Sequence, residues 1–312
     1  MKIWNIFKYT VCFLAVCIIL YGARSVEYFI LEFVIRSQTY TGGACVGSMK
    51  ANMTIPSYIH QIYFPIKSLT IRTDHKNNMM TWKNKHGNFT YILWNESAVI
   101  DLITKEHQGI LTLYQSYGHW VQRIDVAKYV ILYHYGGWYI DLDISCKQSL
   151  FGLAEGMANT NKSVVMYAEE NARVATDFFG ITPRHPFMKS VLDALPSSNR
   201  WFLSQHTTIM ISTGPSFMMG RYLNYPCQDD ILVLSLDSFA RYALLSHDCS
   251  WCGQDSFSIC FIEDHKFLVF CIILLISIVM YIFCRRKGFI SNFLNRNCKR
   301  FRKIHEYERK TV

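Results

Sequence analysis

The sequence predicts an α/β layer fold with a mixed, partly parallel sheet and flanking helices. Its clearest unit is a helical pattern that stops at Gly136-Gly137 and continues at once into the buried-strand signature Trp138-Tyr139-Ile140. Helix and strand alternating in this way favour helices packed on a partly parallel sheet. The apolar residues that recur at helical spacing before the glycines are Trp120, Ile124, Ala127, Ile131 and Tyr135.

Short strand-like runs lie on both sides of this unit. Tyr58–Phe64 and Tyr91–Trp94 precede it, and Val164–Tyr167 and Ile231–Leu234 follow it. Residues 72–86, between the first two runs, are basic and polar, and we expect a loop there. Because ligands of open α/β sheets bind beyond the carboxyl ends of the strands, the residues that follow Ile140 matter most.

Size and composition exclude several classes of protein. With 312 residues, 51% hydrophobic and 18% charged, the chain is too long for a mini-protein and too apolar to be disordered. A net charge of +9 would fit a nucleic-acid binder only if it lay on a folded face. Residues 285–312 carry +8 and residues 1–8 carry +2, which leaves −1 for the rest. We therefore expect no nucleic-acid partner.

The apolar segments near the two ends predict a membrane topology. Residues 267–284 contain no charge over 18 positions, which is enough for a transmembrane helix, and the basic tail 285–312 is then cytosolic. Residues 1–8 form a cytosolic N-terminus, and 9–35 read as a signal anchor and stem, with a cleaved signal peptide as the open alternative. Either interpretation makes 36–266 a lumenal domain.

The predicted lumenal domain carries features of the secretory pathway. It contains four Asn-x-Ser/Thr sequons, which predict N-glycosylation at Asn52, Asn88, Asn95 and Asn161. It also contains six cysteines, an even number that fits disulfide bonding in an oxidising compartment, although the pairing cannot be read from the sequence. These cysteines are Cys45, Cys146, Cys227, Cys249, Cys252 and Cys260.

Two carboxylates, Asp141 and Asp143, follow the strand at 138–140. In an extended chain residues i and i+2 share a face, so both carboxylates would point the same way. Two like charges side by side call for a divalent cation, and Mg²⁺ or Mn²⁺ could in turn hold a diphosphate. The alternative is that the pair merely begins a solvated loop.

Several blocks of sequence resemble glycosyltransferase family 32, whose sugar-binding region contains a DXD motif. The longest block runs from Arg123-x-Asp125-x-x-Lys128-Tyr129 through Tyr135-Gly136-Gly137-x-Tyr139 to Asp141-Leu142-Asp143. Four more follow the family's order, spanning about 55–251, and within the family the chain looks most like the inositol phosphorylceramide mannosyltransferases. These four are Ile55-Pro56-x-x-Ile59-His60-Gln61-Ile62, Tyr91-x-Leu93-Trp94, Thr213-Gly214-Pro215 and His247-x-x-Ser250-Trp251.

The resemblance implies a GT-A-like nucleotide-sugar-binding fold, retention of anomeric configuration and a Mn²⁺ or Mg²⁺ cofactor. The implied metal ligands are Asp141, Asp143 and His247, and the implied catalytic residues are Asp141, Asp143 and Asp177. Lys128 stands where the family usually has Arg, so the planar fork of a guanidinium is lost there. The implied donor-binding residues are His60, Gln61, Arg123, Asp125, Lys128, Tyr129, Gly136, Gly137, Ser250 and Trp251.

The resulting hypothesis is a Golgi or other secretory-pathway membrane enzyme with a lumenal catalytic domain and both termini cytosolic. It would transfer mannose from GDP-mannose to the inositol headgroup of a sphingolipid, a membrane lipid acceptor. Two alternatives stay open. One is a hexosyltransferase that uses another nucleotide sugar on a glycan or glycolipid, and the other is a non-enzymatic receptor ectodomain with a divalent-cation site. Whether the chain forms an oligomer, with itself or with a regulatory membrane subunit, also stays open.

Overall fold

The computed structural model describes residues 54–65, 70–169, 174–202 and 204–246, with single positions 265, 268, 271, 272, 274, 275 and 279. The chain divides into two compact units, Tyr28–Asp255 and, separately, Met1–Glu27 with Ser256–Val312. Among the described residues no helix is long and apolar enough to cross a membrane. The predicted anchor at 9–35 and two thirds of the positions of the predicted span at 267–284 lie outside the described residues.

The described part of Tyr28–Asp255 contains eight strands. In chain order they are β1 (Tyr58–Ile62), β2 (Thr90–Trp94), β3 (Gly137–Ile140), β4 (Ile144–Cys146), β5 (Val164–Tyr167), β6 (Phe178–Ile181), β7 (Ile231–Leu234) and β8 (Ala243–Leu245). Six of them form one sheet in the order β2-β1-β3-β6-β5-β7, and β4 pairs with β8 in a small antiparallel sheet. Within the six-stranded sheet β6 runs antiparallel to both neighbours, whereas the other described pairings are parallel. The predicted mixed, partly parallel sheet is confirmed.

Nine α-helices are described in the same unit. They are α1 (Thr73–Lys85), α2 (Glu96–Glu106), α3 (Gln108–Ser116), α4 (Trp120–Tyr135), α5 (Phe151–Asn159), α6 (Pro186–Ser198), α7 (Gln205–Ser212), α8 (Pro215–Leu223) and α9 (Leu236–Tyr242). The predicted helix before the glycines is α4 and the predicted buried strand is β3, so this unit is confirmed.

The prediction of a loop over residues 72–86 is wrong, because helix α1 occupies most of this segment. The segment contains no glycine or proline, and its two buried residues, Met79 and Trp82, are three positions apart and so share one helix face. The Trp82 side chain is fully buried, and its Nε1 donates a hydrogen bond to Ile144 O at 2.8 Å. This bond is one of the long-range contacts that hold a helix whose polar composition is typical of a loop.

Both faces of the six-stranded sheet are covered. Trp138 and Ile140 of β3 pack in one core with residues of α1 and α5, whereas Tyr139 packs in the other core with residues of α2, α4 and α6. Burial on both faces explains why β3 is apolar at every position instead of alternating.

The two glycines between α4 and β3 are required by the backbone. Gly136 has φ 62° and Gly137 has φ 91°, a region in which residues with a side chain are strained. A Cβ on Gly136 would lie 2.6 Å from Pro183 N, and one on Gly137 would lie 2.8 Å from Tyr58 Cβ. The glycines thus let α4 end and β3 begin without a connecting loop, which places the end of β3 beside α4.

Two buried histidines make a contribution to the stability of the domain that is lost in mild acid. Burial lowers the pKa of both His60 and His185 to about 4, against 6.5 for an ordinary imidazole. Below pH 6.5 the unfolded chain therefore binds protons that the folded protein does not, and stability falls as the pH drops from 6.5 towards 4. At pH 5 each histidine is expected to cost about 2 kcal/mol of unfolding free energy.

The measurement is urea unfolding of the full chain in mild detergent at pH 7 and pH 5. His185→Asn is an informative variant, because the His185 ring accepts a hydrogen bond from Phe187 N at 3.1 Å and asparagine is also a good acceptor at the start of a helix. We expect this variant to lose about half of the pH dependence that the two histidines produce. A pH dependence unchanged by the substitution would contradict this explanation.

Candidate active site

The Asp141-Leu142-Asp143 sequence lies at the carboxyl end of β3, where three strands of the sheet meet. Asp141 N donates a hydrogen bond to the backbone oxygen of Asp177, the residue before β6, at 2.8 Å. From β1, Gln61 Nε2 donates to Asp141 O at 3.3 Å. The predicted site residues Gln61, Asp141 and Asp177 are therefore together at one edge of the sheet.

The prediction that the chain is extended across the two carboxylates is wrong. Leu142 and Asp143 are turn residues, and Ile144 N donates to Asp141 O at 3.2 Å. The turn is needed because the chain leaves the six-stranded sheet here and enters β4 of the small sheet. The two carboxylates are thus presented by a turn instead of by one face of a strand.

Long-range contacts fix this turn. From α1, Asn78 Nδ2 donates to Leu142 O at 3.0 Å, close to the Trp82 anchor on Ile144. On the other side, Ser246 N donates to Asp143 O at 3.1 Å and continues the pairing of β4 with β8. The backbone that carries Asp143 is therefore held from two directions, as a ligand-binding turn requires.

A buried lysine lies among the carboxylates. The Lys128 ammonium is 3.1 Å from Asp125 Oδ1 and 3.9 Å from Asp141 Oδ2, and it donates to Thr176 O at 3.2 Å. The side chains of Lys128 and Asp125 are 4% and 6% exposed, whereas that of Asp141 is 33% exposed. Asp141 is thus the member of this group that solvent or a ligand can reach.

Tyrosine hydroxyls hold two of the carboxylates. The Tyr139 hydroxyl donates to Asp141 Oδ1, and the Tyr167 hydroxyl donates to Asp177 Oδ2 at 2.9 Å. The other Asp177 oxygen, Oδ1, is shielded from solvent and has no hydrogen-bond partner among the residues that the structure describes. A shielded carboxylate oxygen without a donor is costly unless a cation or a proton comes to it.

The electrostatics of the site follow from this arrangement. Burial, together with the nearby charge of Asp141, raises the pKa of Asp177 to about 8. Burial also raises the pKa of Asp125. Burial alone would lower the pKa of Lys128, but the carboxylates of Asp141 and Asp125 outweigh it and raise that pKa.

The side chains at this edge of the sheet fit a divalent cation. The aspartates at positions 125, 141, 143 and 177 outnumber the lysine at 128, and carboxylate oxygens are the ligands that Mg²⁺ and Mn²⁺ prefer. No group of three His, Cys, Asp or Glu side chains within ligand distance of one point occurs among the described residues. The predicted third ligand, His247, lies outside them, as do the predicted donor-binding residues Ser250 and Trp251.

His60 is placed in the core. It is fully buried, with Nε2 2.9 Å from Gly136 O and with Trp94 Nε1 donating to Nδ1 at 3.2 Å. Both ring nitrogens are thus occupied by groups of the protein, and the imidazole ties β1 to β2 and to the end of α4. Its predicted contact with the donor stays a prediction, as does that of Gln61, whose Oε1 accepts a hydrogen bond from the Tyr91 hydroxyl.

Arg123 and Asp125 have different surroundings, although the resemblance groups them at the donor sugar. Arg123 Nε donates to Tyr117 O at 3.3 Å, and Nη1 lies 3.6 Å from Glu96 Oε1, so this side chain contacts the α2–α3 region. Asp125 faces Lys128 instead. Tyr129, a third predicted donor contact, is fully buried and donates its hydroxyl to Thr213 O at 2.5 Å.

The predicted modification sites are partly described. Asn88, Asn95 and Asn161 are exposed, whereas Asn52 lies outside the described residues. Asn95 caps α2 by accepting a hydrogen bond from Ala98 N through Oδ1 at 2.8 Å, which leaves its amide nitrogen available to a glycan. Cys146 is buried with a free thiol, so it takes no part in the disulfide bonding expected from the even number of cysteines.

The sequence did not indicate that three further residues belong to the site. Tyr139 and Tyr167 look like core aromatics, and only their positions near the ends of strands distinguish them. Thr213 lies in a recognised turn, but nothing local indicates that its Oγ1 donates to Asp125 Oδ2, 88 residues earlier, at 2.8 Å. Contacts between residues so far apart in the chain can be recognised only once the fold is known.

The region around this site matches a known protein family. The family described as "Glycosyltransferase sugar-binding region containing DXD motif" matches residues 73–165. These residues extend from α1 through α4, β3 and the turn to β5, and so include the DXD sequence. They also include Asn78, Lys128 and Tyr139, which contact it.

The names of individual relatives agree with this family match. The chain is 28% identical over 174 residues to inositol phosphoceramide mannosyltransferase 1 of Schizosaccharomyces pombe, covering 55% of this chain and 52% of the relative. It is 34% identical over 164 residues to mannosyl phosphorylinositol ceramide synthase SUR1 of Saccharomyces cerevisiae, covering 53% of this chain and 41% of the relative. The chain thus spans about half the length of these relatives.

Among solved structures, the PaToxG glycosyltransferase superposes with a TM-score of 0.43 at 15% identity, covering 64% of this chain and 78% of that one. The matched family and the relatives confirm the resemblance seen in the sequence: residues 73–165 match a glycosyltransferase sugar-binding region that contains a DXD motif, here Asp141-Leu142-Asp143.

Proposed function

We propose that the chain is a metal-dependent glycosyltransferase that transfers mannose from GDP-mannose to the inositol headgroup of a sphingolipid. One observation carries the proposal: the DXD turn of a glycosyltransferase sugar-binding region lies at the carboxyl end of β3, among more carboxylates than the single buried ammonium of Lys128 offsets. That excess of negative charge fits a divalent cation together with a nucleoside diphosphate.

In this proposal Asp141 and Asp143 hold the metal ion, and Asp141 is already oriented for it. Its Oδ1 accepts the Tyr139 hydroxyl, and its Oδ2 lies 3.9 Å from Lys128 Nζ. The ion, Mn²⁺ or Mg²⁺, supplies positive charge that offsets the charge developing on the leaving diphosphate. The work of the protein is therefore to hold two carboxylates in a fixed turn and to supply the surrounding charges.

The donor and the acceptor follow from the relatives. Two relatives are named for mannosyl transfer to inositol phosphoceramide, and they are 28% and 34% identical to this chain. We extend the same substrates to this chain, with the domain lumenal in a Golgi or other secretory-pathway membrane. For the chemistry we propose front-face attack with retention, in which the leaving phosphate accepts the proton of the acceptor hydroxyl.

The test is sugar transfer by the purified full chain in lipid nanodiscs that contain inositol phosphorylceramide. A panel of nucleotide sugars is supplied with Mn²⁺, and lipid products are followed by mass spectrometry. We expect a hexose on the inositol headgroup with GDP-mannose as the preferred donor. Transfer from a different nucleotide sugar would overturn GDP-mannose as the proposed donor. Transfer to a glycan but not to the lipid would overturn the proposed acceptor. If no donor is turned over, the proposal that the chain is an enzyme is rejected.

A further inference from the structure

We propose that Thr213 is a positioning residue for Asp141, acting through Asp125 and Lys128; this rests on the proposed function of the Asp141-Asp143 site. Thr213 is fully buried directly after α7, and both its side chain and its backbone are fixed to α4. Thr213 Oγ1 donates to Asp125 Oδ2 at 2.8 Å, and Thr213 O accepts the Tyr129 hydroxyl at 2.5 Å.

The Asp125 carboxylate is occupied on both oxygens. Oδ2 accepts from Thr213, Oδ1 lies 3.1 Å from the Lys128 ammonium, and the side chain is 6% exposed. Such a carboxylate has little room to accept the hydroxyls of a sugar, which is the role that the family resemblance implies for it. Its contacts instead lead to Lys128, and from there to Asp141.

Lys128 links Asp125 to the DXD turn. An ammonium has three N–H donors, and three acceptors surround this one: Asp125 Oδ1 at 3.1 Å, Thr176 O at 3.2 Å and Asp141 Oδ2 at 3.9 Å. The contact to Asp141 is the longest of the three. It is therefore the contact that is lost first if Asp125 draws the ammonium towards itself.

Thr213 prevents that displacement. Without its hydroxyl, Asp125 Oδ2 would be a buried, charged oxygen without a donor, and Lys128 would be the cation already beside it. Asp125 would then contact Lys128 through both oxygens. Asp141 would keep the hydrogen bond from the Tyr139 hydroxyl but lose the nearby ammonium of Lys128. A small displacement of a metal-binding carboxylate is enough to slow a reaction strongly.

The chain offers a matched control in the preceding residue. Ser212 is also fully buried, and its hydroxyl accepts from Gln122 Nε2 at 2.6 Å and donates to Thr208 O at 2.5 Å. Ser212→Ala removes a buried hydroxyl that also bonds to α4, but neither of these two partners is a carboxylate. A purely structural effect would therefore be similar for the two positions.

The experiment uses the full chain in nanodiscs and compares wild type with Thr213→Val, Thr213→Ser and Ser212→Ala. Two quantities are measured: kcat for Mn²⁺-dependent hydrolysis of the nucleotide sugar, and the affinity for Mn²⁺ alone from its electron paramagnetic resonance signal. We expect Thr213→Val to lower kcat about tenfold and to weaken Mn²⁺ binding about fivefold, with KM for the nucleotide sugar changed less. Thr213→Ser and Ser212→Ala should stay within about threefold of wild type.

The outcomes separate this inference from the proposed function. If wild type is active and Asp143→Asn is not, but Thr213→Val behaves like Ser212→Ala, the positioning role is overturned and the proposed function stands. A Thr213→Ser variant as impaired as Thr213→Val overturns the role of the hydroxyl in the same way. If wild type neither binds Mn²⁺ nor hydrolyses any nucleotide sugar, the proposed function is rejected and this inference with it.

Discussion

Replacing Lys128 by methionine is expected to lower the free energy of unfolding of the domain by about 3–5 kcal/mol. The substitution keeps the apolar stem but removes the cation that lies 3.1 Å from the buried Asp125 carboxylate. It leaves a charge in the protein interior that neither water nor another described cation at this site offsets. Breaking one half of a buried ion pair in this way is among the most destabilising single changes in proteins.

The measurement is urea unfolding of the full chain in mild detergent, followed by tryptophan fluorescence. Lys189→Met is the matched control, because Lys189 on α6 pairs with Asp193 at 2.6 Å but is 53% exposed. A surface pair of this kind contributes about 0.5 kcal/mol or less. Equal losses for the two lysine variants would show that Lys128 is not needed as a buried cation.

Replacing Asp143 by asparagine is expected to lower kcat by about a hundredfold or more while the fold is retained. Asparagine keeps the size and one oxygen of the side chain but loses the charge that a divalent cation requires. The backbone of the turn is held by Ser246 N, which donates to Asp143 O at 3.1 Å, and this bond does not depend on the side chain. The loss should therefore appear in turnover and metal affinity, and much less in stability.

Asp193→Asn is the charge-matched control for this variant, since Asp193 lies on the exposed side of α6 and pairs with Lys189. It should leave kcat within about twofold of wild type. Activity of Asp143→Asn equal to that of Asp193→Asn would remove the DXD turn from the mechanism, whatever the substrates prove to be.

The part of the fold that the sequence predicts well is the part determined by neighbours along the chain. The spacing of the apolar residues in α4, the glycines at 136 and 137, and the apolar strand β3 each leave a local pattern. The site at the end of β3 follows from them, because ligands bind at the carboxyl ends of such strands.

The errors arose where distant contacts override local pattern. Helix α1 is polar enough to read as a loop, but Trp82 bonds to Ile144, 62 residues later. The carboxylate pair reads as extended, but the chain must turn there to pair with β8. The predicted donor contact of Arg123 and Asp125 stays a prediction, but α4 directs the first side chain towards Tyr117 and the second towards Lys128.

The buried ion pair also changes the interpretation of the DXD region. From the sequence, Lys128 is a substitute for an arginine that contacts the donor. In the structure its three nearest acceptors are groups of the protein, at Asp125, Thr176 and Asp141. Within the protein Lys128 offsets the Asp125 carboxylate, and a compact ammonium can meet acceptors that lie in separate directions. Its predicted contact with the donor stays a prediction.

Removal of the metal ion tests the central claim most directly. Hydrolysis or transfer of GDP-mannose by the purified wild-type chain is measured with Mn²⁺, then with excess EDTA, then after Mn²⁺ is restored. The account predicts turnover with Mn²⁺, at least a hundredfold less in EDTA, and recovery on restoration. Turnover that is the same in EDTA as with Mn²⁺ would contradict it.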